Sequence, residues 1–537
     1  MFLKSTFLAA ACLFAFSLAA QHEFMPLAYD YDVLYGGSIY KKEVDIHTAV
    51  RPLRRTDVYA QINVDSTLQA MRWKGKFWNT WAGRALFSDH FIQVRTPDFD
   101  LSVDPLVDFR YGKERGSEND YQFHSTKGFY IQGRIGRQVT FMTSFTDNQA
   151  RYPDYVQSFV QTSGVTPGQG QARSFNTTSW DFRNAFGLVS YTPSKYFNFE
   201  LGQGRVFFGE GHRSTILSDA ALSYPYLKVE TTVWKIKYVN LWTQNLDIRK
   251  PVEVNQANRK KWVAAHYLSY NVNSRLNISI FEAVVYGSDT NNRGIEASYF
   301  NPIIFFRPVE AANGSDAGNV LLGIGSSYKL THGLMAYGQF TLDELVFGEL
   351  LSEPGSWRNK YSYQLGLKYL NAFKVENLHF RLEYNATRPY MYQHIRPLTN
   401  YGHFNQPLAH PWGANFRELI AQVHYRYRRV VVDLQITSGK KGLDENGSNW
   451  GGNIYLPYDT REQDDNNTIA QGVTVNVVYV EGRLGYLLNP SYNIRLEGGA
   501  VLRRQTPENG APAFTYDQGP YIYLGLRTAL FNNYFDF

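Results

Sequence analysis

The chain has 537 residues, a formal charge of +6, 16% aromatic residues and a single cysteine, with a mean hydropathy of −0.37. That length suits several soluble domains or one large barrel, and the polar mean excludes a bundle of apolar helices. Acidic and basic residues intermingle, so the concentrated basic face that nucleic acid requires is not formed and no nucleic-acid partner is expected.

Residues 1–20 read as a secretory signal peptide. Lys4 precedes the apolar run from Phe7 to Leu18, and Ala19-Ala20 supply small residues before Gln21. Cys12 lies inside that run, not at a first mature position, so a lipid-anchored cysteine is disfavoured. The mature chain then has no cysteine, which removes disulfides, thiolate metal sites and a cysteine nucleophile. No later stretch is apolar enough for a helical anchor. Residues 21–98 carry a charge cluster (KKEVDIHTAVRPLRR, 41–55) and aromatics at mixed spacing (MRWKGKFWNTWAGRALFSDHF, 71–91). They read either as a periplasmic extension or as a plug in a lumen.

From residue 99 to the C-terminus a period of two recurs. In 418–427, Leu419, Ala421, Val423, Tyr425 and Tyr427 alternate with Glu418, Ile420, Gln422, His424 and Arg426. The same alternation fills 361–369, 378–385, 430–437 and 492–500. A soluble sheet would need a second layer to cover its apolar face, and no long amphipathic helices separate these segments. A transmembrane antiparallel β-barrel resolves this, with apolar residues toward lipid and polar residues toward the lumen. We expect an all-β fold of about 18 strands (roughly 16 to 20) over 99–537, in the outer membrane. The expected strands include single segments at 227–239 and 295–306. Brief reversals such as Gly136-Arg137, Thr331-His332 and Leu488–Pro490 alternate with long connections at 148–182, 204–226, 342–358, 388–415, 439–471 and 503–518. Short periplasmic turns and long external loops have this rhythm, except near 246–261, which suggests a missed reversal inside 227–245. Phe535 and Phe537 would end a final barrel strand.

The glycine-rich GQGRVFFGEGHRS (202–214) lacks the spacing of a phosphate-binding loop and reads as a tight, folded-back loop. His379, His394, His403 and His410 show no compact ligand spacing, so no metal is assigned. No GxSxG elbow occurs, and the chain reads as a non-enzyme without a cofactor. Asp464-Asp465 could hold calcium or form a solvated loop tip. The candidate external contacts are Arg213, Tyr224, Tyr226, Arg388, Arg396, Tyr401, Phe404 and Trp412. Their aromatic faces suit sugar rings and their guanidinium groups suit uronic or phosphate groups.

Three blocks, FFGEGHRSTILSDAALSYPYLK (207–228), WKIKYVNLW (234–242) and NYGHFNQPLAHPWGANFRE (400–418), resemble Bacteroidetes RemB-like gliding-motility outer-membrane proteins. That group falls within the broader Wzi-like capsule-assembly family. The resemblance implies an outer-membrane barrel with a helical element on the periplasmic side and a role in attaching capsular polysaccharide or exopolysaccharide, with adhesion or gliding as the output. Outer-membrane lipid, lipopolysaccharide and an acidic surface polysaccharide are then the expected partners. The alternative is an accessory subunit of an outer-membrane protein assembly or secretion complex, in which the same loops or 21–98 bind outer-membrane or periplasmic proteins.

Overall fold

The computed structural model describes residues 24–59, 71–73, 75–249, 258–288, 290, 293–302, 318–343, 353 and 355–537. The expected signal peptide lies outside them. The first strands are β1 (Phe99–Glu114), β2 (Gln122–Ile135), β3 (Val139–Arg151), β4 (Ser179–Ser194), β5 (Phe197–Gly204) and β6 (Tyr224–Val233). Next come β7 (Ile236–Asp247), β8 (Arg259–Asn271), β9 (Leu276–Gly287), β10 (Asn319–Lys329), β11 (Leu334–Asp343) and β12 (Lys360–Leu370). The wall ends with β13 (Leu378–Thr387), β14 (Phe416–Tyr427), β15 (Val430–Leu443), β16 (Val473–Asn489), β17 (Ile494–Pro507) and β18 (Tyr521–Thr528). These 18 antiparallel strands close into one barrel, with β18 pairing β1 from Tyr521↔Glu114 to Arg527↔Asp108.

Two local readings change. The expected strand 227–239 is two strands, reversed at Trp234-Lys235 with Trp234 at φ 54°. The described part of the expected strand 295–306 is a 3₁₀ turn at Ala297–Phe300. It lies over the outer wall, where Tyr299 stacks on Tyr286 and its carbonyl accepts from the Trp242 indole. With the extra reversal, β7 ends at Asp247 and β8 begins at Arg259 on the external side, and 272–275 is a periplasmic turn, so the alternation of short and long connections holds.

The alternation of polarity follows the wall. Glu418, Ile420, Gln422 and His424 are buried inside, whereas Leu419, Leu434, Leu496 and, most fully, Leu365 (61%) are exposed outside. Trp234, Phe373 and Tyr427 are exposed beside the short turns, as an interfacial aromatic girdle requires. Closure satisfies the strand backbone, so this apolar exterior is compatible with lipid and not with water. Among the described residues no helix is long and apolar enough to cross a membrane.

The seam between β18 and β1 is unequal. β18 stops at Thr528, and the periplasmic part of β1 pairs instead with Ile92–Arg95, through Ile92↔Val103 and Val94↔Leu101. Residues 529–537 leave the wall and ascend the lumen, so Phe535 and Phe537 belong to an internal tail and not to the last strand. The tail starts where the Ala529 amide donates to the Asn493 carbonyl at a periplasmic turn. It ends with Phe537 packed on Phe159 of the helix Asp154–Ser163 in the external loop 152–178.

Candidate functional site

Three segments meet inside the barrel. From the periplasmic side, α1 (Tyr29–Ile39) and its flanks bury Tyr31, Tyr35, Ile39 and Tyr40 against inward residues Tyr130, Met142, Met335 and Tyr337. From the outer side, 205–223 descends, and Phe208 pairs with Val50 of the N-terminal segment. Close packing requires glycine here. At Gly209 (φ 141°) a Cβ would approach the Gln339 side chain to 2.4 Å, and at Gly211 it would meet the Arg213 carbonyl at 2.5 Å. The tail is the third segment.

Charge joins them. Glu210 accepts from the Tyr40 hydroxyl at 3.0 Å and from Lys368 at 3.3 Å. Glu383 on β13 accepts the His212 and Arg213 amides at 2.7 and 3.0 Å. The Arg213 guanidinium donates to Glu418 at 3.4 Å and to Asp536 at 2.6 Å, and lies over the Tyr534 ring. Burial alone would raise the Asp536 carboxyl, but Arg213 and then His212 outweigh it and hold Asp536 well below the usual carboxylate range. The Tyr534 hydroxyl and the Asn532 amide both donate to Asp219.

Above this layer the external loops knit together. Arg388 donates to the carbonyls of Asn359, Asn467 and Ser356 at 3.1, 3.0 and 3.1 Å. The Tyr392 hydroxyl donates to the Thr215 carbonyl at 2.7 Å, and the Asn405 amide to the Ser163 carbonyl at 2.8 Å. Of the sequence candidates, Arg213, Tyr224, Tyr226, Arg388, Tyr401 and Trp412 are buried. Tyr224, Tyr226 and Tyr401 belong to an apolar core with Phe208, Tyr267 and Leu408; the Trp412 indole donates to the Asp536 carbonyl. Arg396 and Phe404 alone of the eight retain partial exposure, and the eight do not converge on one site.

The loop histidines are structural. His403 Nδ1 accepts the Leu246 amide at 3.0 Å and Nε2 faces the Ser223 carbonyl at 3.4 Å, which sets a neutral ring. Burial pushes its pKa down to about 3. His410 accepts the Trp412 amide and donates to Glu418 at 2.6 Å, so both its nitrogens are engaged. The Ser218 hydroxyl is turned to the Leu408 and Ala409 carbonyls. Asp30, His424 and Asp433 lie close enough together to consider a metal. Arg495 sits 3.2 Å from Asp30 and Arg483 3.6 Å from Asp433, so cationic side chains already compensate the carboxylates and the donor set does not fit. Asp464 pairs with Arg461.

One cluster that sequence reasoning missed lies on the external rim. Trp357 and Tyr458 pack with ring centroids 4.9 Å apart. Arg461 lies 4.1 Å over Trp357, and Lys360 lies 4.3 Å over Tyr458. His394 meets the Tyr458 edge, and Arg358 is exposed beside Trp357. Both aromatic rings are half-buried, held in place with part of their surface outward. These residues come from three stretches far apart in the chain, around 357–360, 394 and 458–461, and no local pattern joins them.

No family model matches this sequence, and no curated protein matches it. Among solved structures, the chain is similar to Wzi of Escherichia coli, an outer-membrane, carbohydrate-binding β-barrel involved in group 1 capsule assembly. The likeness has a TM-score of 0.56 at 12% identity, covering 94% of this chain and 99% of that one. Pseudomonas aeruginosa OccK8 (OprE) gives 0.44 at 11% identity over 80% and 97%. Acinetobacter baumannii OccAB2 gives 0.42 at 11% identity over 79% and 96%. The first likeness agrees with the fold; the other two scores are too low to carry an argument. The closed barrel and its lipid-compatible exterior belong to an outer-membrane protein.

Proposed function

We propose that this barrel is a non-enzymatic surface protein that holds capsular polysaccharide or exopolysaccharide at the outer face, supporting adhesion or gliding motility, as in the RemB-like branch of Wzi-like barrels. The observation that carries the reading is the combination of a lumen occupied by three of the chain's own segments with a fixed aromatic and cationic cluster on the rim. An occupied lumen disfavours solute passage, while half-exposed Trp357 and Tyr458 beside Arg461 and Arg358 suit the apolar faces and anionic groups of an acidic sugar chain. Arg396, whose amide donates to His394, adjoins the same cluster. In this reading 24–59 serves as an inner plug of the barrel that runs from β1 to β18, and 529–537 as a second internal segment.

The test compares a deletion strain complemented with the wild-type chain or with a Trp357→Ala, Tyr458→Ala, Arg461→Ala variant. Cell-bound polysaccharide should fall and released polysaccharide rise in the deletion and the variant, with barrel abundance retained in the variant. Unchanged surface polysaccharide, together with stoichiometric co-purification of secretion or assembly components, would replace this reading with that of an accessory subunit.

A further inference from the structure

The segment that precedes the barrel wall does not enter the lumen with α1. Residues 71–73 and 75–91 lie beneath the rim at the turns 428–429 and 490–493. Arg429 donates to the Met71 carbonyl at 2.9 and 2.7 Å and to the Phe87 carbonyl at 3.0 Å, with its guanidinium over Trp73. Asn489 donates to the carbonyls of Ala85 and Asp89, and Ser491 to that of Ser88. Trp73, Trp78 and Phe87 pack together with ring centroids 4.1 to 5.3 Å apart. The helix Trp81–Phe87 is capped by Thr80, whose hydroxyl accepts the Gly83 amide. The segment is therefore held in one position.

What it presents is apolar. Trp81 is 69% and Phe77 54% exposed, and Leu86, Phe91, Ile92 and Val94 are exposed as well. A soluble surface gains nothing from such a run. The run is continuous with a face that meets lipid: Ile92 and Val94 pair with Val103 and Leu101 on the outward side of β1. The turns that hold the segment adjoin Tyr427, a residue of the periplasmic aromatic girdle. The sequence from 71 to 95 carries five basic residues (Arg72, Lys74, Lys76, Arg84, Arg95) against the single acidic Asp89. Aromatic rings flanked by cations are the composition of a segment lying in a phospholipid interface, its rings among the acyl-chain ends and its cations among anionic headgroups.

We propose that residues 75–94 form an in-plane anchor on the periplasmic leaflet, with Phe77, Trp81 and Leu86 inserted at headgroup depth and Lys76 and Arg84 selecting anionic phospholipid. The anchor joins the wall at the Ile92–Arg95 strand and so braces the seam where β18 is short.

The test labels single cysteines with an environment-sensitive fluorophore in a Cys12→Ser background, which removes the chain's sole cysteine. Positions are Phe77→Cys and Trp81→Cys, with Leu365→Cys in the lipid belt and Glu445→Cys on an external loop as references. Full-length protein is reconstituted in phosphatidylcholine vesicles with and without about a third phosphatidylglycerol, using lipids brominated at shallow or deep acyl positions, and retained heat-modifiability reports folding. Labels at 77 and 81 should be quenched by shallow bromines at least threefold more than the label at 445, and less than the label at 365 by deep bromines. Phosphatidylglycerol should increase that quenching, and Lys76→Glu with Arg84→Glu should abolish the increase. Labels at 77 and 81 that match position 445 in both lipid quenching and aqueous iodide quenching would overturn the proposal. Protection from iodide without lipid quenching would overturn it too, because the face would then be covered by protein.

Discussion

Replacing Arg213 with methionine tests the internal connection most sharply. The substitution keeps most of the side-chain length and removes the one cation that touches both Glu418 and Asp536. Glu418 would retain His410 at 2.6 Å, while the nearest imidazole to Asp536 is His212 at 3.8 Å. Leaving one fully buried carboxylate without its guanidinium costs about 3–5 kcal/mol. Asp536→Asn alone leaves Arg213 its Glu418 partner and should cost roughly 1–3 kcal/mol, within the range for a buried polar partner removed. The double variant Arg213→Met, Asp536→Asn should be more stable than the two losses added, by at least about 1 kcal/mol, because the orphaned charge is gone. Urea titration in detergent, read by tryptophan fluorescence and by the heat-modifiable band, measures all three. A single-variant loss below about 1 kcal/mol, or strict additivity, would refute the claim that Arg213 ties loop 205–223 to the tail.

Three further outcomes are expected. His403 has a folded pKa of about 3 against an ordinary value of about 6.5, so the unfolded chain takes the proton first and stability falls as pH drops from 6.5 toward 3. His403→Gln, which can accept from Leu246 and donate to Ser223, should flatten the pH dependence of the urea midpoint by about one bound proton in that window. Removing residues 531–537 vacates the side of the lumen lined by Asp433, Glu481, Arg483 and Arg527; liposome swelling should then report entry of small sugars that the full chain excludes. Trp357→Ala with Tyr458→Ala should weaken binding of purified acidic surface polysaccharide at least tenfold without changing the urea midpoint by more than about 1 kcal/mol, since each ring is only half-buried.

The wall was legible in the sequence because a barrel strand repeats one rule, polar inside and apolar outside, for its whole length. Inward Arg381, Glu383, His424, Asp433, Arg495 and Glu497 and outward Leu382, Val432 and Leu496 all follow it. Two errors cancelled in the strand count. The reversal at Trp234-Lys235 uses neither glycine nor asparagine, so alternation ran through it unmarked; residues 295–302 copied an apolar strand because Tyr299 covers an outer-wall patch. The site was less legible. Loop length fixes which end of the barrel a loop leaves from, not whether it folds outward or down the lumen. The external position of their loops predicts external side chains for Arg213, Tyr224 and Tyr401, yet Glu383, Asp536 and the apolar wall of β7–β10 draw them inward. The tail's course depends on the shortness of β18, which LRTALFNNYFDF does not disclose.

The central claim, that this is a closed barrel acting at its outer face, is tested most directly by planar-bilayer recording on the purified full chain. The account predicts no stable conductance steps above those of a protein-free bilayer, at any polarity, with the segments 24–59, 205–223 and 529–537 in place. Large, long-lived and reproducible steps from the full chain would contradict it.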